Sequence, residues 1–317
     1  MKHEFYLKRC LQLAELGKGN VSPNPMVGCV VVKNNKIIAE GYHEKFGEAH
    51  AEVNALKNLS PEDLIEATVY VSLEPCSHHG KTGPCCELLV AKGAQKVVIA
   101  SEDPNPQVNG RGVSYLEKNN VEVISNQLTV AEQHLNRAFR LNQKLKRPYI
   151  IAKWAESKDG FIGKLNGEMI AISHESSKNF VHQLRHESDA ILIGSATLKN
   201  DHPKLDCRYY SDKQLHKIVF TRNNNLQAEG FINLSPDNLI EQLQNLYKDQ
   251  NIGQILIEGG AKTIEYFIKL NLIDEIIRIK SDTILSDGVL APDITDLQAN
   301  NHFELDKDKV SQYFISQ

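Results

Sequence analysis

Apolar and polar positions alternate with a helical and then an extended period along the first half of the chain. Residues 4–16 place apolar side chains on one helical face, so we predict a helix that stops at Gly17. Two apolar runs separated by Lys-Asn-Asn-Lys predict a β-hairpin over residues 27–42, because asparagine tolerates left-handed backbone angles. The other elements predicted here are a helix over 50–59, a strand over 68–73, a helix opened by Pro84, strands over 96–100 and 121–124, and a helix over 130–145. This alternation predicts a three-layer α/β/α domain.

The second half alternates in the same way but does not repeat the sequence of the first half. A polar stretch that ends in proline, residues 144–148, predicts the boundary, and we define the domains as 1–146 and 147–317. The elements predicted in the second domain are strands over 149–155, 190–194, 217–220, 254–258 and 275–280, and helices over 175–187, 236–247 and 261–270. The pattern weakens over roughly the last 30 residues, where no element is predicted.

The composition of the 317 residues is that of a folded protein, with 41% hydrophobic and 24% charged residues. The net charge of −4 lacks the basic character that nucleic-acid binding requires, so we expect no nucleic-acid partner. No apolar run approaches the ~18 residues that span a bilayer, and the N-terminus enters an amphipathic segment without a signal-peptide core. We therefore expect a cytoplasmic protein with no membrane partner.

Six cysteines in a chain of this length do not form a disulfide scaffold, and three of them lie within residues 76–86. His50, Cys76 and Cys85 offer one imidazole and two thiolates, which are ligand types that zinc prefers. Three protein ligands leave the fourth tetrahedral position to water, as in catalytic zinc sites, whereas structural sites normally have four protein ligands. We therefore predict a catalytic Zn²⁺ site on these three residues.

Glu52 is the candidate proton carrier of this site. It lies two residues beyond His50, in the opening turn of a predicted helix, where a carboxylate can reach the water without binding the metal. It would act first as a base and then as an acid. Two other interpretations remain open. The ligand residues are simply buried, or a further residue, Cys86, His78 or His79, completes a structural zinc site.

Three motifs point to a narrower relationship. They read P-N-P-M-V-G over residues 23–28, E-P-C-S-H-H-G-K-T-G-P-C over 74–85, and E-D-P-N-P over 102–106 with Asn109 and Gly110 after it. Zinc deaminases share H-x-E followed by P-C-x-x-C, whereas eight residues separate the two cysteines here. In these motifs the chain resembles the bifunctional deaminase–reductases of bacterial riboflavin biosynthesis. The resemblance implies a cytidine-deaminase-like first domain that removes the ring 2-amino group of a phosphoribosylated diaminopyrimidinone.

The resemblance also implies substrate contacts in the first domain. Asn24 and His43 would contact the pyrimidine, while Ser77, His78 and Lys81 would lie near the ring or the ribose phosphate. These residue types suit the roles, since an asparagine amide both donates and accepts hydrogen bonds and a lysine offers a point charge to phosphate. For the two histidines, an ordinary surface position is the alternative.

The second domain resembles the reductase half of the same family. The motifs that carry this resemblance are K-W-A-E-S-K-D-G over 153–160, I-G-S-A-T over 193–197, D-H-P-K-L over 201–205 and E-G-G over 258–260. It implies a dihydrofolate-reductase-like α/β fold in which NADPH reduces the ribosyl group to a ribityl chain. The residues implied to face the substrate are Lys153, Arg185, Leu205, Arg208 and Glu258, and those implied to face the cofactor are Ala155, Thr197, Asp201, Gly259 and Gly260. The two arginines also suit a phosphate clamp, with a surface salt bridge as the alternative.

One position departs from the family pattern. Ala171 stands where the family carries a tryptophan that touches the cofactor, and an aromatic contact of that size contributes substantially to binding. The first alternative function is therefore an active deaminase whose second domain has lost or weakened its reductase activity. The others are a nucleic-acid deaminase, which the acidic charge disfavours, and a non-catalytic protein in which zinc stabilises a ligand-binding fold. The family further implies a homo-oligomer.

Overall fold

The computed structural model describes residues 2–78, 83–105, 108–166, 168, 170–223, 226 and 228–315. The chain forms two compact units, Met1–Leu145 and Lys146–Gln317. The boundary that the polar, proline-terminated stretch predicts lies one residue from this division. Within the described ranges, no helix combines the length and the apolar character needed to cross a membrane.

The first unit combines short helices with a five-stranded sheet. Its helices are α1 (Lys2–Glu15), α2 (Ala51–Leu56), α3 (Pro61–Leu64), α4 (Cys85–Ala91), α5 (Arg111–Lys118), α6 (Thr129–Leu135) and α7 (Arg137–Leu145). Its strands are β1 (Gly28–Lys33), β2 (Lys36–Tyr42), β3 (Thr68–Val71), β4 (Lys96–Ile99) and β5 (Glu122–Ile124). The strand order is β2-β1-β3-β4-β5, in which β1 is antiparallel to both neighbours and β3, β4 and β5 are parallel.

Alternate side chains of β1 enter two different cores, which confirms the three-layer arrangement. Val30 and Val32 pack with residues of α1 on one face of the sheet. Cys29 and Val31 pack with residues of α2, α4 and α5 on the other face. The predicted hairpin is also confirmed, because β1 and β2 pair directly and the asparagines between them adopt left-handed angles.

Several features of this unit differ from the prediction, among them the short helix α3, which was not predicted. The single helix predicted over 130–145 is divided at Asn136 into α6 and α7. The Asn136 side chain accepts the backbone N–H of Met26 at 2.8 Å and donates to the Met26 carbonyl at 2.9 Å. Asn136 therefore binds the segment before β1 instead of continuing a helix. Helix α5 has no counterpart in the prediction, since it follows a left-handed Gly110 instead of a capping Ser, Thr, Asp or Asn.

The second unit is built on an eight-stranded sheet. Its helices are α8 (Glu175–Glu187), α9 (Ser195–Asp201), α10 (Leu239–Gln250) and α11 (Ala261–Lys269). Its strands are β6 (Tyr149–Glu156), β7 (Phe161–Gly163), β8 (Ala190–Gly194), β9 (His216–Phe220), β10 (Phe231–Leu234), β11 (Gln254–Ile257), β12 (Glu275–Lys280), β13 (Val289–Leu290), β14 (Asn301–Leu305) and β15 (Asp308–Phe314). The strand order is β10-β9-β8-β11-β6-β12-β15-β14, while β13 and β7 form a separate pair.

The direction of the strands indicates where this unit places a ligand. The six strands from β10 to β12 are parallel, and only β15 and β14 run against their neighbours. In open sheets of this kind, ligands bind at the carboxyl ends of the parallel strands. The hairpin β14–β15 lies where no element is predicted, because four of the five side chains of β14 are exposed and leave no alternating pattern.

At Gly41, strand β2 packs closely against the backbone of α2. A Cβ at this residue would lie 2.4 Å from the Ala55 nitrogen and 2.7 Å from the Ala51 oxygen, so the backbone of α2 would have to move. We predict that Gly41→Ala lowers the free energy of unfolding by roughly 1–3 kcal/mol, measured by urea denaturation. Gly163→Ala is the control, since a Cβ there meets nothing within 4 Å. Equal stability of both variants would contradict the close packing.

Candidate active sites

Three potential metal ligands from separate segments meet in the first unit. His50 directly precedes α2, Cys76 lies in the loop after β3, and Cys85 opens α4. The His50 Nδ1 lies 3.5 Å from the Cys76 Sγ and 3.4 Å from the Cys85 Sγ, and all three atoms lie within 4.8 Å of one another. One imidazole nitrogen and two sulfurs so arranged match the donor set of zinc, so these residues fit Zn²⁺.

The surroundings of Cys76 favour its thiolate form. A hydrogen bond from the Cys85 thiol and a second from His50 lower the pKa of Cys76 to about 4, although burial opposes the shift. The backbone N–H of Cys85 donates to the same sulfur at 3.3 Å. Because the thiolate is the form of cysteine that binds a metal, the site is prepared for a cation.

The Glu52 carboxyl lies beside the three ligand groups and is almost completely buried, with 3% of the residue exposed. Burial raises the pKa of Glu52 to about 7 and the charge at Cys76 adds to the shift, while His50 and a hydrogen bond with the Cys85 thiol oppose it. These interactions place the carboxyl next to the ligand cluster. A carboxyl group that titrates near neutral pH can take up and release a proton, as a general acid–base must.

His43 and Asn24 form a hydrogen-bonded pair next to this cluster. The His43 Nδ1 lies 3.0 Å from the carbonyl oxygen of Ala49, which only accepts, so Nδ1 carries the hydrogen. The Nε2 atom therefore accepts from the Asn24 Nδ2 at 3.2 Å. Burial lowers the pKa of His43, which keeps the ring neutral, and the ring lies edge-on to His50 at 5.4 Å between centroids. His43 is thus a buried neighbour of the site rather than a surface histidine.

The other residues considered for the first site have different surroundings. The Ser77 Oγ is buried and has no hydrogen-bond partner within the described ranges, so it is available to a ligand. His78 is exposed, and Lys81 lies outside the described residues. Cys86, considered above as a fourth ligand, packs in the hydrophobic core. In the part of the chain that the structure describes, no fourth ligand joins the cluster.

Glu74 is a site-building residue that the motif analysis did not single out for a role. Its carboxylate is buried and accepts the backbone N–H groups of Gly110 at 3.0 Å and Gly112 at 2.9 Å. These bonds tie the loop that carries Cys76 to the start of α5. The only signal in the sequence is an acidic residue directly after a buried strand, which does not reveal its distant partners.

A buried ion network marks the second site. Glu258 follows β11, and its carboxylate receives the Arg185 Nε at 2.7 Å and Nη2 at 3.1 Å, while the Lys153 Nζ lies 3.3 Å away. Burial alone would raise the pKa of Glu258, but the charges of Lys153 and Arg185 outweigh it and lower the pKa to about 2. Three of the five predicted substrate residues are therefore brought together at the carboxyl ends of parallel strands.

The two remaining predicted substrate residues flank Asp206. The Asp206 carboxylate holds Arg208 through two short contacts of 2.7 and 2.8 Å, and the Asp206 carbonyl accepts Arg185 Nη1 at 2.9 Å. The Leu205 side chain is buried with Ile191, and its backbone is left-handed with φ of 52°. Only the backbone of Leu205 is therefore placed to face a ligand.

Several residues predicted to face the cofactor lie near the carboxyl ends of the same parallel strands. Ala155 shares a face of β6 with Lys153, because side chains two residues apart on a strand point the same way. A Cβ at Gly260 would lie 3.8 Å from the Thr197 Oγ1, so α9 and the start of α11 are neighbours. Gly259 approaches α11 so closely that a Cβ would lie 3.0 Å from a side chain of that helix.

Two positions bear on how the cofactor is held. Asp201 is exposed at the last position of α9. Ala171 is exposed as well, and it precedes the buried Ile172, whose carbonyl accepts the Thr283 hydroxyl at 3.1 Å. The segment is therefore anchored in the fold although the residue expected to be tryptophan is an alanine.

Comparison with known proteins gives matches for both units. Residues 1–101 match the family model described as the cytidine and deoxycytidylate deaminase zinc-binding region, and residues 148–312 match the RibD C-terminal domain. The chain is 34% identical to the riboflavin biosynthesis protein RibD of Aquifex aeolicus, over 96% of this chain and 94% of that protein. With RibD of Actinobacillus pleuropneumoniae the identity is 47%, over 68% of this chain and 57% of that protein.

Solved structures show the same relationship over the full length. The structure of Acinetobacter baumannii RibD superimposes with a TM-score of 0.89 at 30% identity, covering 100% of this chain and 99% of that one. A Thermotoga maritima diaminohydroxyphosphoribosylaminopyrimidine deaminase/5-amino-6-(5-phosphoribosylamino)uracil reductase gives 0.87 at 30% identity, covering 99% of each chain. These matches confirm the predicted fold class, a deaminase-like first unit and a reductase-like second unit.

Adjacent cysteines offer a matched test of the metal site. Cys85 joins the ligand cluster, whereas Cys86 packs in the core. We predict that Cys85→Ala lowers the zinc affinity at least about tenfold, while Cys86→Ala keeps one zinc per chain. Elemental analysis after dialysis against a zinc buffer measures both. Loss of zinc from both variants, or from neither, would contradict the assignment of the ligands.

Glu258 is expected to make the stability of the second unit depend on acid. Its folded pKa lies below its unfolded value of 4.5, so its stabilising effect is complete above pH 4.5 and is lost as the pH falls toward 2. Glu258→Gln leaves Lys153 and Arg185 without their anion, which we expect to cost roughly 3–5 kcal/mol at pH 7. Urea unfolding at pH 7 and pH 3 should show a smaller difference between wild type and variant at pH 3. A difference independent of pH would refute the network.

Proposed function

The chain belongs to the RibD family of riboflavin biosynthesis proteins, and on that premise we propose that it catalyses two successive reactions. The first is hydrolytic deamination of 2,5-diamino-6-(5-phosphoribosylamino)pyrimidin-4(3H)-one. The second is NADPH-dependent reduction of the ribosyl group of the product to a ribityl chain. It is an enzyme with a deaminase and a reductase domain, and Zn²⁺ and NADPH are the cofactors that fit them.

One observation carries the deaminase assignment: a buried carboxyl, Glu52, stands next to a cluster of one imidazole and two thiols. His50, Cys76 and Cys85 would hold the zinc ion, which when bound supplies a Lewis acid that makes water a better nucleophile. Glu52 takes the proton that the attacking water gives up. It then delivers that proton to the amino group, which leaves as ammonia.

The neighbouring side chains would hold the pyrimidine. Asn24 donates one N–H to His43, and its amide still offers a second N–H and a carbonyl to the edge of a heterocycle. The neutral His43 ring fixes the orientation of that amide through its Nε2. Ser77, with its buried hydroxyl, His78 and Lys81 complete the contacts that we assign to the substrate in this domain.

In the reductase domain the chain binds and orients, and the nicotinamide when bound supplies the hydride. We assign Arg208 to the ribose phosphate, because a guanidinium group can bind two phosphate oxygens at once. We assign Arg185 to the same phosphate through the N–H groups that its contacts with Glu258 and the Asp206 carbonyl leave over. Lys153 and Glu258 present one cation and one anion to the sugar, and Leu205 contributes its backbone. The cofactor contacts that we assign are Ala155, Thr197, Asp201, Gly259 and Gly260.

The division of labour and the setting are part of the same proposal. Residues 1–146 carry the deaminase and residues 147–317 the reductase. The partners are the phosphoribosylaminopyrimidine substrate and further copies of the chain in a homo-oligomer, without nucleic acid. The enzyme works in the cytoplasm, where its substrate and NADPH are present.

Product analysis of the metal-loaded protein with the diaminopyrimidinone phosphate, with and without NADPH, tests both reactions. We expect ammonia in either case, and the ribityl product only with NADPH. Ammonia without any oxidation of NADPH would favour a deaminase whose second domain has lost its reductase activity. If the zinc-loaded protein releases no ammonia and forms no ribityl product, the alternative of a non-catalytic ligand-binding protein is favoured.

Glu52→Gln separates the two reactions. The amide cannot shuttle a proton, so we predict a loss of deamination of about 10²–10⁴-fold. The zinc content and the oxidation of NADPH with the deaminated intermediate should remain. Glu44→Gln, at an exposed position in the same unit, is the matched control. Deamination by Glu52→Gln at the wild-type rate would refute the assigned role.

A further inference from the structure

Asp206 lies between Arg208, which its carboxylate binds, and the imidazole of His182. Its carboxylate holds Arg208 at 2.7 and 2.8 Å, and both side chains are partly exposed to solvent. On the other side, the Asp206 Oδ1 lies 4.0 Å from the Nδ1 of His182, which is too far for a hydrogen bond. The carboxylate is thus bound to the arginine and stops about 1 Å short of the imidazole.

His182 is a buried residue that the proposed function does not use. It lies on α8 one turn before Arg185 and is 5% exposed. Its Nδ1 is buried and has no hydrogen-bond partner among the described residues, which is costly for a polar atom. The Tyr209 ring packs edge-on against the imidazole at 4.6 Å and also lies beneath the Arg208 guanidinium at 5.0 Å.

The arrangement matters because Arg208 cannot serve two anions equally well. Under the proposed function, Arg208 binds the ribose phosphate, yet in this structure the Asp206 carboxylate occupies the same guanidinium. A phosphate that takes over Arg208 leaves Asp206 as an unpaired negative charge next to a dianion. Such like-charge proximity disfavours binding unless the carboxylate finds another donor. The nearest unsatisfied nitrogen of the described residues around it is the His182 Nδ1.

We propose that His182 is a positioning residue of the reductase site, whose Nδ1–H donates a hydrogen bond to the Asp206 carboxylate when the substrate phosphate draws Arg208 away. This inference rests on the proposed function, which places the phosphate on Arg208. The exchange involves no proton transfer and no oxidation or reduction. One hydrogen-bonded contact, Asp206 with Arg208, is replaced by another, Asp206 with His182, and the guanidinium is released to the ligand. Burial lowers the pKa of His182, so the ring serves as a neutral donor.

The test is the inhibition of NADPH oxidation by ribose 5-phosphate, which reports on the reductase site alone, in the full-length zinc-loaded protein. We expect His182→Leu to raise the inhibition constant and the KM of the deaminated intermediate about tenfold, with a smaller change in kcat. His182→Asn, which retains an N–H near the Nδ1 position, should stay within about threefold of wild type. His216→Leu, at an exposed position on β9, is the matched control.

Asp206→Asn distinguishes this exchange from a direct contact. Without the competing anion, we expect tighter inhibition by ribose 5-phosphate, by about threefold, and almost no further effect of His182→Leu in the double variant. If His182→Leu still raises the inhibition constant about tenfold in the Asp206→Asn background, His182 touches the ligand or only supports the fold. That result would overturn the proposal. If His182→Leu does not fold, the results for Asp206→Asn and His182→Asn decide. The proposal is overturned if ribose 5-phosphate inhibits Asp206→Asn more weakly than it inhibits the wild type.

Failure of the two ideas can be told apart. A wild-type protein that does not oxidise NADPH with the deaminated intermediate refutes the proposed reductase function. If the wild-type protein does oxidise NADPH, and ribose 5-phosphate inhibits the wild type and His182→Leu equally, only the role of His182 is refuted. Unphosphorylated ribose serves as the reference, because its weak inhibition should not respond to any of these variants.

Discussion

The first unit brings together groups whose negative charge a single cation would compensate. The sulfurs of Cys76 and Cys85 and the Glu52 carboxyl lie together; Cys85 and Glu52 are buried and Cys76 is half-buried. Charges in such a place are tolerated only when they are paired. Two thiolates would balance the charge of a bound Zn²⁺, and the nearby carboxyl would then remain available to exchange protons. The ligand geometry and the proton chemistry therefore follow from one constraint.

The second unit applies the same constraint with the signs reversed. One buried anion, Glu258, faces two cations, Lys153 and Arg185, whose charges outweigh the effect of burial on the carboxyl and lower the pKa of Glu258. The network fixes side chains from β6, α8 and the end of β11 at one edge of the sheet. Beside it, the ion pair of Asp206 and Arg208 is more exposed to solvent than the contacts of Glu258. The site thus combines the buried network of Glu258 with the more exposed ion pair of Asp206 and Arg208.

Side chains that hydrogen-bond to distant backbone are the part of this structure that no local pattern revealed. Glu74 holds the N–H groups of a helix start 36 and 38 residues away, and Asn136 holds Met26 across 110 residues. Neither side chain departs from what a loop or a helix surface normally carries. The same holds for β14, whose exposed residues become a strand only because β15 lies beside them. Such roles are set by the partner, and the partner is set by the fold.

The sequence by itself indicated most of the periodic elements, a change of domain near residue 146 and the cluster of His50, Cys76 and Cys85 that could hold a metal ion. These features are local: apolar spacing, turn residues and clustered cysteines are visible without coordinates. Tertiary structure alone decided that His43 is buried against Asn24, that Cys86 belongs to the core, and that Arg185 pairs with Glu258 rather than with solvent. Burial and charge pairing arise between segments far apart in the chain, and for that reason only the folded molecule shows them.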